Sequence, residues 1–140
     1  MSKTRTYELK RRAERQEETR QRIVDAAVEL HTTLGPSRTT VQAIAEKAGV
    51  TRPTVYAHFP DAQSLFSACS GHVRATIPPP NPARWESISD PAARLETALR
   101  ELYAYYTRLE PLFENVERDV AVMPIIAEHC LWSSLPLARL

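Results

Sequence analysis

Nine residues, TRPTVYAHF from Thr51 to Phe59, place Arg52, Thr54, Tyr56 and His58 around a proline at position 53. Only Val55 and Phe59 are core-type residues in this stretch. The chemistry such a set supports is recognition of a polyanion. An arginine can bond bidentately to guanine O6 and N7, and a threonine can reach a phosphate or a thymine methyl. Tyrosine and histidine can meet phosphates. The plain alternative is that Tyr56 and His58 cover a small helical core. A second set, Cys69 with His72 at i, i+3 and His129 beside Cys130, has soft metal ligands, but no denser cluster accompanies it and no metal is expected. Catalysis is disfavoured. The chain has no glycine-rich phosphate loop, nucleophile elbow or paired carboxylates in an apolar setting, and no cofactor is expected.

The surrounding pattern tells how these residues are held. Thr40 is a good N-cap for a short helix from about Val41 to Ala48, with Ile44, Ala45 and Ala48 facing inward. Gly49 closes it and Val50 plugs the joint. Thr51 caps the next helix, and Pro53 sits in its first turn, where a missing N–H costs little. A capped helix, a glycine-containing turn and a second short helix make a helix-turn-helix. The second helix, Arg52 to His58, has one thin apolar edge, so the rest of its surface is free to enter a DNA major groove.

Around this unit, Ile23, Ala27, Leu30 and Leu34 fall at helical spacing from about Thr19 until Gly35-Pro36 ends the helix. Asp61 caps a fourth helix through about Thr76, with Leu65, Phe66, Cys69 and Val73 inward. The proline-rich segment 76–91 is an irregular connector. Asp90-Pro91 opens a long helix whose face is Leu95, Leu99, Leu102, Tyr106 and Leu109, stopped or kinked at Pro111. Two further short helices follow, LFENVERDV and PIIAEHCLWSS. Residues 1–18 are dense in charge of both signs, and read either as a solvated helical tail or as a basic arm against DNA.

The 140-residue chain has 43% hydrophobic and 25% charged residues, an ordinary globular balance. Three glycines against eleven prolines, without sustained alternation, favour an all-α fold over a sheet. Residues 1–77 carry 12 Lys/Arg against 8 Asp/Glu, and residues 78–140 carry 6 against 9, so a basic front precedes an acidic back. No apolar run approaches bilayer length, and MSKTRTYELKRR lacks a signal peptide's apolar core. A cytoplasmic chain with no membrane partner and two reduced, buried cysteines, Cys69 and Cys130, is the expectation.

TTVQAIAEKAGVTRPTVYAHFPDAQSLF closely resembles the signature of the tetracycline-repressor (TetR/AcrR-like) family of bacterial transcriptional regulators. The likeness runs from about Thr19 through Phe66. It implies a three-helix DNA-binding unit followed by an α-helical effector and dimerisation domain, carried here in part. The implied DNA contacts are Thr39, Thr40, Gln42, Thr51, Arg52, Pro53, Thr54, Tyr56 and His58. Where Ala62 stands the family often has a lysine, so that phosphate contact is expected to be missing. The implied organisation is a charged tail over 1–18, a DNA-binding domain over 19–77 with its helix-turn-helix at about 40–59, a connector over 78–91, and a partial regulatory domain over 92–140.

The resemblance further implies a homodimer on a palindromic double-stranded operator and release by a small apolar effector. Leu99, Leu102, Tyr103, Tyr106 and Phe113 are the candidate effector-pocket residues. The chain ends at LWSSLPLARL, where family members usually begin their pairing helices. A truncated or short form that joins a full-length paralogue as a protein–protein module is therefore the competing expectation.

Overall fold

Seven helices and one single-turn 3-10 segment make up residues 3–129, the part of the chain that the computed structural model describes. In order they are α1 (Lys3–Thr33), the 3-10 turn Pro36–Arg38, α2 (Val41–Ala48), α3 (Arg52–His58), α4 (Ala62–Thr76), α5 (Ala83–Glu86), α6 (Pro91–Val120) and α7 (Ile125–His129). There is no strand among the described residues, and no helix is long and apolar enough to cross a membrane.

The charged tail expected over 1–18 is continuous with the first helix from Lys3 onward. Its residues are mostly Glu, Lys, Arg, Gln and Ala, which lose little rotamer freedom in a helix. Side-chain pairs such as Lys10–Glu14 at 3.9 Å lie in open solvent and add little. Cohesion comes from the packed half, where Ile23, Val24, Ala26 and Ala27 are buried. The helix ends where Gly35 takes φ 94°, a left-handed value open to glycine, and Pro36 follows.

Three apolar clusters form the core, and α4 contributes to each. Cys69 joins the α1 residues, Ile44, Ala45 and Ala48 of α2, and Val55 and Phe59. Val73 packs with Tyr105 and Leu109 of α6. Phe66 packs with Ile126 of α7. A second link runs through α1. The C-terminal end of α1 also reaches α6, where Asn115 Nδ2 donates to the Thr32 carbonyl at 2.7 Å and Arg118 Nη2 to the Leu34 carbonyl at 3.0 Å.

Pro111 neither stops nor bends α6 out of existence; the helix runs to Val120 and absorbs LFENVERDV. Pro111 and Thr107 lie on its exposed side, where solvent can take the carbonyl that the missing N–H leaves free. The connector contains one helical turn, α5, tied down by Trp85 Nε1 donating to Glu101 Oε2 at 2.7 Å. Leu34 is 44% exposed, because α1 has already ended, and His31 is buried in its stead. On α6 the inward residues are Tyr105, Leu109 and Asp119, whereas Leu95 and Leu99 face outward. Of the expected face, Leu109 is buried and Tyr106 packs beside it, whereas Leu95 and Leu99 are left open because α1 and α4 cover the helix farther along.

Candidate nucleic-acid interface

The caps that hold the helix pair are the expected ones. The Thr40 hydroxyl accepts the Ala43 N–H at 3.1 Å and starts α2. Gly49, at φ 68°, ends it, with its N–H returned to the Ala45 and Glu46 carbonyls. The Val50 N–H then donates to Ala45 at 3.0 Å, which tightens the turn. The Thr51 hydroxyl accepts the Thr54 N–H at 3.3 Å and starts α3. Asp61 does the same for α4, accepting from Ser64 at 2.8 Å. That backbone bond and the Ser64 hydroxyl hold the Asp61 carboxyl below the usual range.

Val55 and Phe59 are the buried anchors of α3, at 1% and 4% exposure. Opposite them, Arg52, Pro53, Tyr56 and Ala57 are exposed, and Thr54 and His58 are half-buried. The Tyr56 ring is free of the core, at 46% exposure. So α3 is fixed from behind by two residues and a cap, and it presents a polar front. The Arg20 guanidinium lies over the Phe59 ring at 5.1 Å, placing a cation of α1 beside the end of α3.

The sequence-predicted DNA-contact residues are not equally available. Thr40 and Thr51 have a hydroxyl engaged as a cap, and the Thr51 and Thr54 hydroxyls are bonded at 2.9 Å. Thr39 is half-buried and its hydroxyl donates to the Gly35 carbonyl at 2.8 Å, so it holds the loop before α2. The Gln42 amide donates to Glu46 Oε1 at 2.6 Å on the exposed surface. Arg52, Tyr56 and His58 have no such engagement with polar groups among the described residues, which leaves them the freest for a ligand. Sequence reasoning passed over Arg20.

No group of three or more His, Cys, Asp or Glu able to hold a metal occurs among the described residues. Burial pushes the Cys69 thiol up to about 12, and His72 is occupied by Gln21 at 3.1 Å and Asp25 at 3.4 Å on α1. Cys130 lies outside the described residues.

The five candidate effector residues are not brought around one cavity. Leu99 is 45% and Tyr103 72% exposed, and Leu102 is half-buried. Tyr103, Tyr106 and Phe113 line an open groove on α6 together with Glu110, Glu114 and Glu117. Phe113 alone of the five also lines a cavity of about 50 Å³ between α4, α6 and α7, with Phe66, Cys69, Val73, Val116 and Ile126.

Residues 23–69, from α1 to the middle of α4, match the family model for bacterial regulatory proteins of the tetR family. That segment of the chain is a domain of the family. Relatives agree: the HTH-type transcriptional repressor BepR of Brucella suis is 34% identical over 115 residues, 81% of this chain and 51% of that protein. The HTH-type transcriptional regulator SrpR of Pseudomonas putida is 60% identical over 43 residues, 31% of this chain and 20% of that protein. The chain thus spans about half the length of BepR and less of SrpR. A crystal structure described as a TetR-family transcriptional regulator from Mesorhizobium loti superposes with a TM-score of 0.65 at 24% identity, over 82% of this chain and 59% of that one, a likeness of fold.

Proposed function

We propose that the chain is a sequence-specific DNA-binding transcriptional regulator, a repressor that reads the major groove with α3. The observation that carries this reading is the division of α3 into a buried edge, Val55 and Phe59, and an outward face with Arg52, Tyr56 and His58. A helix this short is ordered only by its caps and core. Its exposed polar face serves no folding purpose, and a major groove admits a helix of this width. Arg52 is the base-reading residue, and Tyr56 and His58 meet phosphates. The homologous repressor BepR supports the direction of regulation. Two copies of the chain bind a palindrome, since half-sites about one helical turn apart require two recognition helices.

Release comes from a small apolar effector between α4, α6 and α7. The cavity there, about 50 Å³, is far below the roughly 300 Å³ of a typical ligand site, so an effector must displace α6 or α7 to enter. That displacement is the signal, because α4 and the end of α1 connect the same region to the helix-turn-helix. Selection of duplexes from a random pool with the full chain tests the reading. An enriched palindrome is the expected result; a pool without enrichment overturns it.

A second reading rests on the outward Leu95, Leu99 and Tyr103 of α6, at 61%, 45% and 72% exposure. On that reading the chain is a non-sensing module that joins a full-length paralogue. Solution mass separates the two: a homodimer on DNA supports the regulator, and a monomer without duplex affinity supports the module.

A further inference from the structure

The cavity between α4, α6 and α7 has a polar atom in its wall that the fold leaves unmet. Most of that wall is apolar, with Phe66 and Val73 from α4, Leu112, Phe113 and Val116 from α6, and Ile126 from α7. Cys69, Ser70 and His129 are the side chains there with hydrogen-bonding atoms. Two of the three are spent. Burial keeps the Cys69 thiol protonated, and a thiol bonds weakly. The Ser70 hydroxyl donates to the His129 carbonyl at 2.8 Å. The third is free: His129 Nε2 is buried and has no hydrogen-bond partner among the described residues.

Buried polar atoms are nearly always bonded, and one left unmet costs stability. Water is a poor partner here. A buried water makes about three hydrogen bonds, and these walls offer it one free nitrogen and the oxygen of a serine already engaged. The walls suit a ligand that is apolar except at one point. No Lys, Arg, Asp or Glu lines the cavity, so a charged ligand would find no fixed counter-charge. A neutral imidazole nitrogen donates in one tautomer and accepts in the other, and a hydroxyl can answer either.

Size narrows the class further. The cavity measures about 50 Å³, and a single benzene-sized ring occupies a cavity of roughly 150 Å³. Even one ring must therefore move a wall. On α6, Asn115 and Arg118 are bonded to α1 carbonyls. The five-residue α7 is held to α4 by Ile126 against Phe66 and by the Ser70–His129 bond. The wall that yields is α7, and Phe66 and Phe113 offer ring faces to a flat ligand.

We propose that His129 Nε2 is the polar anchor of the effector site and that the effector is a small neutral aromatic alcohol, its hydroxyl bonded to that nitrogen. This rests on the proposed effector reading of the cavity and gives it a ligand class. The anchor also ties the ligand to the reading unit. Ser70, which holds the His129 backbone, follows Cys69, and Cys69 packs with Val55 and Phe59 behind α3.

The test titrates the full chain with phenol and with toluene, two probes of similar shape that differ in the hydroxyl. Binding is read from the ring signals of the four histidines by NMR, assigned by substitution. Wild type should bind phenol about tenfold more tightly than toluene, with the His129 signal moving most. His129→Leu should bring the ratio to about one by losing phenol affinity while keeping toluene. His129→Gln retains a hydrogen-bonding group and should keep most of the preference. Val116→Phe fills the cavity and should weaken both probes. A wild-type ratio near one overturns the anchor and leaves the effector cavity standing. A preference that survives in His129→Leu overturns the anchor too, since another group then takes the hydroxyl. So does a His129→Gln variant as indifferent as His129→Leu, which would make the ring's shape the cause. Binding of neither probe, or binding untouched by Val116→Phe, overturns the anchor together with the effector reading of this cavity.

Discussion

Asp119 Oδ2 accepts the backbone N–H of Ser37 at 2.9 Å, across 82 residues of sequence. Its other oxygen accepts Arg118 Nε at 2.9 Å, and the carboxylate is 2% exposed. Burial alone would raise its pKa, but the Arg118 and Ser37 hydrogen bonds outweigh that and hold it below the usual range. The last turn of α6 is thereby fastened to the loop that leads into α2. Asp119→Asn keeps the shape but offers one acceptor where two donors point. One N–H is left facing an amide NH₂, at a cost of about 1–3 kcal/mol. Chemical denaturation should show that loss; an unchanged midpoint would mean that the clasp contributes nothing.

The same clasp sets a steric limit at Gly35. A Cβ placed there would collide with Arg118 Nη2 and Asp119 Oδ2, and φ 94° is unfavourable for an L side chain in any case. Gly35→Ala should destabilise by at least about 1 kcal/mol from the backbone alone. The collision adds to this by pushing α6 off the loop. The pairing is checked by the double variant Gly35→Ala/Asp119→Ala. Relief of part of the Gly35→Ala penalty is expected, and strict additivity would show that the two sites do not meet.

What was legible in the sequence follows from how local each interaction is. The caps at Thr40, Thr51 and Asp61 each bond three residues ahead, so residue type and spacing suffice to find them. Val55 and Phe59 were legible for the same reason. On α6 Leu109 was legible, but the exposure of the other end was not, because Leu95 and Leu99 obey helical spacing as well as Leu109 does. Only the positions of α1 and α4 decide which part of the face is covered. Asp119 had no local signal at all, its partner being an N–H far away in sequence. His31 was within reach: it lies four residues after Ala27 and eight after Ile23, but a hydrophobic count skips a histidine.

That histidine is a source of acid sensitivity. His31 is 5% exposed and stacks on Phe66 of α4 with ring centroids 5.3 Å apart. Burial lowers its pKa to about 4, against a smaller upward pull from Asp119. The folded state therefore binds fewer protons than the unfolded chain between about pH 6.5 and 4. Stability should fall with pH through that window, by about 2 kcal/mol at pH 5 relative to neutrality. Asp119, whose folded pKa is depressed, adds its loss only below the ordinary carboxylate range. His31→Leu should flatten the difference between pH 7 and 5. If wild type and variant lose equal stability over that interval, His31 is protonated in the fold without cost.

Tyr56 separates phosphate contact from core packing. Its ring is largely outside the core, so Tyr56→Phe should change folding stability by less than about 0.5 kcal/mol. Loss of a hydroxyl on a phosphate should weaken binding by about 1 kcal/mol, roughly fivefold, on operator and mixed-sequence duplex alike. Thermal melting and anisotropy on both duplexes read the two effects. A marked fall in melting temperature would instead make the hydroxyl part of the fold.

Arg52 should behave in the opposite way. It stands at the start of α3, exposed, one residue after the Thr51 cap and one before Pro53, which fixes its backbone without using its side chain. A guanidinium there can approach guanine O6 and N7 with two bonds, and such a pair discriminates by about 1–3 kcal/mol against other bases. Arg52→Ala should therefore lower affinity for the selected operator by that amount and barely affect mixed-sequence DNA. Against operators altered one base pair at a time, the variant should lose its preference at one position per half-site and keep it elsewhere. The salt slope should change by no more than about one unit, because a base contact releases few counterions. If the loss is the same on every duplex and the slope drops with it, Arg52 touches phosphate, and base reading must pass to other residues of α2 and α3.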